Sequence, residues 1–204
     1  MGRKKLVKPD DTNKIVCVNL GCGNYIAHSH EKDQVWFNLD RYAHNDGVQM
    51  VADLEEGLPF KNESVDFLYA SHVFEHVRKF PELMQECHRV LKPRGCLSLK
   101  VPLGGCRASF ADPTHYWQFA PETWYHFDKD SNIGFDTLGM RRMGFILKWN
   151  EVVRHRRNGL DGDKPGDFFT EIIVDYEKDG PFHKWEKKLM QVVKEQQCQK
   201  EIRG

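Results

Sequence analysis

The feature that most constrains this chain is the run IVCVNL over residues 15–20, followed at once by Gly21-Cys22-Gly23. Six almost wholly apolar residues suit a strand buried on both faces, as in a parallel sheet. Two glycines one residue apart at its end let the backbone turn tightly and approach a ligand closely. A second short apolar run, VWFNL over 35–39, ends at Asp40, which follows Gly21 by 19 positions. That is close to the spacing of about 20 residues between the first glycine and a ribose-binding carboxylate in nucleoside-cofactor folds. A carboxylate placed there can accept hydrogen bonds from both ribose hydroxyls. Ile26 occupies the position where a dinucleotide fold needs a third small residue for helix–strand packing. This counts against an NAD-dependent oxidoreductase.

Further apolar runs at 48–52, 65–70 and 96–101 read as strands, the first of them ending at Asp53. Leu83, Met84, Cys87, Val90 and Leu91 share one helical face, which predicts a helix over 81–91. Pro81 suits its first turn, and Pro93-Arg94-Gly95 ends it. Residues 25–34 are polar, so any helix there is short. The stretch 103–128 is aromatic, polar and irregular, with a short helix at 121–125. A helix is expected over about 136–144, and 145–153 and 168–176 read as an antiparallel hairpin. The order of these elements predicts an α/β domain, a Rossmann-like, mostly parallel sheet with an antiparallel C-terminal hairpin. It spans residues 14–182, between a flexible basic arm (1–13) and a polar C-terminal helix (183–204). The apolar face of that helix is thin and leaves the oligomeric state open.

A chain of 204 residues suffices for one such core and is short for two. No apolar run approaches the roughly 18 residues of a membrane span. The basic start lacks the apolar core of a signal peptide, so the expected location is cytoplasmic. Lys plus Arg equals Asp plus Glu, 30 each, which gives no general attraction for nucleic acid, and none is expected as a partner. Six cysteines without a CxxC pair read as reduced packing residues, with no metal site and no disulfide framework.

The blocks VNLGCG (18–23), FNLD (37–40), ADLEEGLPF (52–60), ESVDFLYASHVFEHV (63–77) and ELMQECHRVLKPRGCLSLKVP (82–102) stand in ordered succession. Together they resemble the class I methyltransferases of the UbiE-like, type 11 group, and the likeness runs over about residues 15–145. The resemblance implies S-adenosyl-L-methionine as cofactor. Gly21, Cys22 and Gly23 would hold its methionine end, Asp40 and Arg41 its ribose, and Asp53 and Leu54 its adenine. Ala70 and Ser71 would begin the loop that lines the transfer site, and Asp112, His115 and Phe119 a cover on the acceptor side. Asn19 stands where the group often has an acidic residue, and Tyr25 where it often has a glycine. An Asn amide oxygen still accepts from the cofactor's ammonium.

Methyl transfer from a sulfonium is an in-line displacement on an activated donor, so the protein mainly aligns the acceptor and excludes water. A general base helps when the acceptor must lose a proton. His72 and His115 are the candidate catalytic residues, with Glu75, His76, Asp112 and Tyr116 on the substrate side. His72 and His76 are four apart and would share a face if both lay on one helix, a spacing that also suits a metal pair. The expected acceptor is a small molecule, a sugar or a lipid-linked intermediate. The alternative is a non-catalytic binding partner built on the cofactor fold.

Overall fold

The computed structural model describes residues 14–29, 32–132, 144–156 and 168–178. The basic arm, the helix expected over 136–144 and the C-terminal helix lie outside the described residues. A seven-stranded sheet forms the centre, in the order β3-β2-β1-β4-β5-β7-β6. β1 (Ile15–Leu20) pairs in parallel with both β2 (Gln34–Asp40) and β4 (Val65–Ser71). β3 (Met50–Val51) extends β2, and β5 (Leu91–Pro102) extends β4, again in parallel. β7 (Phe168–Lys178) runs antiparallel to β5, and β6 (Phe145–Arg156) antiparallel to β7.

β1 is buried along its whole length because the sheet is covered on both faces. Val16, Val18 and Leu20 enter the larger core, while Ile15 and Cys17 pack with Trp36, Phe67, Tyr69 and Cys96 on the other side. One charge sits inside this layer. Asp66 on β4 accepts from the Val16 backbone N–H (2.8 Å) and from Lys92 Nζ (2.7 Å), so its burial is compensated on two sides.

The helix α1 (Phe80–Val90) covers the larger face, with Phe80, Leu83, Met84, Cys87 and Val90 turned inward at helical spacing. It starts one residue earlier than the sequence pattern suggests and hands over directly to β5 at Leu91. Glu86 and Arg89 pin its last turns to the preceding loop. Arg89 grips both Glu86 oxygens at 2.7 Å and donates to the Phe60 and Leu58 carbonyls. Glu86 in turn accepts from the Leu58 backbone (2.8 Å).

No helix occurs in the described part of the β1–β2 connection, residues 21–29 and 32–33. A polar web holds it instead. Asn38 on β2 accepts from the Ala27 N–H and donates to its carbonyl (2.8 and 2.9 Å). Asn19 on β1 donates to the Tyr25 carbonyl and to Asn38 Oδ1 (2.8 and 3.1 Å). A second helix, α2 (Arg107–Ala111), lies in the stretch that sequence pattern leaves irregular, followed by a 3₁₀ segment at Pro121–Phe127. Among the described residues no helix is long and apolar enough to cross a membrane.

Candidate active site

The strand order reverses direction between β1 and β4, and ligands of open α/β sheets bind outside the carboxyl ends of the strands at such a point. The carboxyl ends there carry the glycine turn after Leu20, Asp40 at the end of β2, and Ala70 and Ser71 at the end of β4.

Gly21 and Gly23 both adopt left-handed backbone (φ 60° and 49°), where side chains are strained. Gly21 has a second reason to lack a side chain, since a Cβ there would lie 2.5 Å from a Val73 methyl. The turn is tied to β2. Cys22 donates its backbone N–H to the Leu39 carbonyl (3.0 Å), and Gly23 donates its own to Asp40 Oδ2 (2.8 Å). Cys22 is buried, and burial with the nearby Asp40 charge pushes its thiol up to about 11. Its thiol is therefore a neutral packing group, like those of Cys17 and Cys87, which burial pushes up further still.

Asp40 also accepts from the Tyr42 N–H (3.2 Å) and meets His44 Nε2 at 3.1 Å, both on Oδ1. A carboxylate has about four lone-pair sites. The two backbone donors take two and His44 meets a third, so a move of the partly exposed His44 ring would leave two for other donors. Arg41 pairs with Asp53 (3.1 Å), which links the ends of β2 and β3. Asp53 caps the 3₁₀ turn Leu54–Glu56 by accepting from the Glu55 N–H (3.0 Å), and Leu54 packs against the core. Asn19 is buried, and the two bonds of its amide nitrogen leave the oxygen as the group able to meet an ammonium.

The candidate acceptor side lies just past β4. His72 does not share a helix with His76: it has φ 55°, a strained conformation for a non-glycine residue, and precedes a single 3₁₀ turn, Phe74–His76. Its backbone N–H reaches the Lys100 carbonyl (2.9 Å). Its ring Nδ1 stands 3.3 Å from Glu75 Oε1, and Glu75 is buried (1% exposed).

The segment 112–117 folds over this turn. The Glu75 carbonyl accepts from the Tyr116 and Trp117 backbones (2.8 and 3.4 Å). Trp117 Nε1 donates to the Val77 carbonyl (2.9 Å), and Arg78 lies on the Tyr116 ring and donates to its hydroxyl (2.9 Å). That docking brings the His115 ring edge-on to His76, with centroids 4.6 Å apart. Asp112 accepts from the Thr114 side chain and backbone (2.6 and 2.8 Å), which holds its carboxyl below the usual range.

Sequence reasoning named His72, Glu75, His76 and His115 as separate candidates, and the fold gathers them into one cluster. It missed Val73, whose methyls crowd Gly21, and His44 on Asp40. It also missed Ser109 and Thr114, whose oxygens meet the Nδ1 atoms of His115 and His76 (3.1 and 2.8 Å). The clue available for Thr114 was its place inside the Asp112–His115 segment.

The fold is an open α/β sheet, and the candidate residues gather at the carboxyl ends of its strands around the β1/β4 switch point. Residues 18–99 match the family model described as a methyltransferase domain. A biotin biosynthesis bifunctional protein, BioHC, of Cellvibrio japonicus is 44% identical over 94 residues, which are 42% of this chain and 19% of that protein. A malonyl-[acyl-carrier protein] O-methyltransferase of Coxiella burnetii is 39% identical over 59 residues, 27% of this chain and 21% of that protein. The matches thus span about a fifth of the length of these relatives. A candidate methyltransferase of Bacillus halodurans (BH2331) has the same fold, with a TM-score of 0.58 at 14% identity, over 82% of this chain and 94% of that one. Over residues 18–99 the chain is thus similar to methyltransferase domains, and its fold is that of the class I methyltransferases.

Proposed function

We propose that the chain transfers a methyl group from S-adenosyl-L-methionine to a hydroxyl oxygen of a small-molecule, sugar or lipid-linked acceptor in the cytoplasm. The observation that carries this reading is the meeting of His72, Glu75, His76 and His115 at the end of β4, beside the glycine turn. A hydroxyl must lose its proton as it attacks, and imidazole is the side chain best suited to take one near neutral pH. A carboxylate acceptor would need no such group. The printed name of the Coxiella relative, an O-methyltransferase, agrees with an oxygen acceptor. The likeness to it covers too little of that protein to pass on its carrier-linked substrate.

In this reading Asp40 holds the ribose, the Arg41–Asp53 pair and Leu54 flank the adenine, and the Asn19 oxygen and glycine turn receive the methionine end. Ala70 and Ser71 line the path of the methyl group. Tyr116 and Trp117 shield the sulfonium from water, and Asp112 keeps their segment in place through Thr114. The acceptor oxygen bonds to the methyl carbon, the carbon–sulfur bond breaks, and its electron pair stays on sulfur. The hydroxyl proton passes to a histidine of the cluster.

Calorimetric titration with S-adenosyl-L-methionine tests the cofactor half, beside Asp40→Asn and Asp40→Ala and with NADH as control. Micromolar binding that falls in Asp40→Asn and vanishes in Asp40→Ala is expected, with none for NADH. Label transfer from methyl-tritiated cofactor to pooled hydroxyl compounds tests the acceptor half. Cofactor binding with no transfer to any pool would favour the non-catalytic partner instead.

A further inference from the structure

Glu75 is the least comfortable residue in this domain. It is 1% exposed, and neither carboxylate oxygen has a hydrogen bond among the described residues. The 3.3 Å approach of His72 Nδ1 is within ion-pair range but lacks hydrogen-bond geometry. A buried carboxylate without donors costs several kcal/mol unless a cation meets it.

The two nearest rings are arranged to supply the rest of a cation site. His115 Nδ1 lies 3.1 Å from the Ser109 carbonyl, an oxygen that only accepts, so Nδ1 carries the proton. Thr114 Oγ1 donates to Asp112 Oδ1 at 2.6 Å and so has spent its hydrogen. At 2.8 Å from His76 Nδ1 it must accept, which puts the proton on Nδ1 there too. In the neutral form of each ring, Nε2 is therefore the lone-pair nitrogen. Metal-binding histidines show this pattern, the far nitrogen bonded to a backbone carbonyl or to a polar chain ending in a carboxylate. The ligand atoms offered by Glu75, His76 and His115 all lie within 4.8 Å of one another. Ligands about 2.0–2.2 Å from one ion stand at most about 4.4 Å apart, so small side-chain turns close the set.

We propose that Glu75, His76 and His115 bind one divalent transition-metal ion at the acceptor end of the cleft, and that the ion's open positions take the acceptor's oxygen. Two imidazoles and one carboxylate suit zinc, manganese, cobalt or iron better than magnesium, which prefers oxygen ligands. The chain's cysteine spacing gave no hint of such a site, and the His72–His76 spacing pointed to a different pair. The fold replaces His72 with His115, 39 residues after His76 in the chain. The ion deepens the hydroxyl-acceptor reading and, in its acceptor role, rests on it.

Protein without a histidine tag, stripped with chelator, is titrated with Zn²⁺, Mn²⁺ and Mg²⁺ and its metal content measured. One Zn²⁺ or Mn²⁺ per chain is expected, with Mg²⁺ far weaker. His76→Ala and His115→Ala should abolish the site, and Thr114→Val should weaken it by about tenfold or more. Co²⁺ should give a visible absorption band that both histidine variants lose. His126→Ala, on an exposed ring elsewhere, is the control. No stoichiometric uptake, or uptake unchanged in the histidine variants, overturns the proposal. S-adenosyl-L-methionine is titrated into the same samples. Cofactor binding without metal binding defeats the ion alone, and metal binding without cofactor binding defeats the methyl-transfer reading alone.

Discussion

Replacing Gly21 by alanine strikes the cleft at its tightest point, and the structure sets the size of the effect. At φ 60° an L-residue costs about 1–2 kcal/mol. The new Cβ would also lie 2.5 and 2.9 Å from the two Val73 methyls, where carbon atoms settle at about 3.5–4.0 Å. Relieving such overpacking costs a further ~1–3 kcal/mol. Gly21→Ala should therefore lose about 2–5 kcal/mol. Gly23 has φ 49° but nothing within 4 Å of its would-be Cβ, so Gly23→Ala should lose only the backbone part, about 1–2 kcal/mol. Val73→Ala removes the two methyls in the way and leaves Val73 Cβ at 3.3 Å. The double variant Gly21→Ala, Val73→Ala should then be more stable than the sum of the single effects by about 1–3 kcal/mol. Urea unfolding of the wild type and these four variants, with unchanged slopes, gives these differences. Gly21→Ala costing no more than Gly23→Ala, or additivity within about 0.5 kcal/mol, would refute the steric argument.

Two further outcomes follow from single side chains. His44→Ala frees one Asp40 lone-pair site and should leave S-adenosyl-L-methionine binding unchanged or tighter by calorimetry; a tenfold or greater loss, about 1.4 kcal/mol, would make His44 a cofactor ligand instead. His88, packed against the Phe145 ring, is pushed down to about 4 by burial and then by Lys178, against a smaller opposing pull from Glu63. The unfolded chain then binds the extra proton first, so stability is full above about pH 6.5 and falls as pH drops toward 4. The ring is only half-buried, and after solvent screening the loss should be on the order of 1–2 kcal/mol. Denaturant melts at pH 7.5, 6 and 5 should show it, and His88→Gln should flatten that slope. An equal slope in His88→Gln would remove His88 as the cause.

Where structure depends on neighbours in sequence, the chain could be read directly. The strand IVCVNL, the glycine turn and Asp40 are one continuous βxβ unit, and the first strand was legible to the residue. The third strand was read too long, as 48–52. Met50 and Val51 alone take strand register, opposite Leu39 and Asp40, while Gln49 and Ala52 at either end each donate one bond to β2, and an apolar run does not reveal where its neighbour stops. α2 was missed because its sequence, RASFA, has one buried residue, Ser109, and no apolar stripe to announce it. The polar β1–β2 connection was read correctly as poor in helix. What fills that place is the Asn19–Asn38–Ala27 web, a pairing across two strands that periodicity cannot show.

The acceptor side shows the same division more sharply. His72, Glu75, His76, Asp112, His115 and Tyr116 were each legible as candidates from residue type and place, but not as one set. Their meeting depends on Arg78 under Tyr116 and on Trp117 reaching the Val77 carbonyl, contacts 38 and 40 residues apart. Helical spacing misled because it paired His72 with His76, whereas the left-handed backbone at His72 breaks any helix before it starts. The buried carboxylate of Glu75 carries the most information. In a sequence it is an ordinary glutamate three and four positions before Arg78 and Lys79. Inside the fold it has no hydrogen bond among the described residues, and a ring nitrogen of His76 and one of His115 lie within 4.8 Å of it. A stable core does not hold a charge in that way for packing alone. The same residue that makes the site costly thus argues that something cationic completes it.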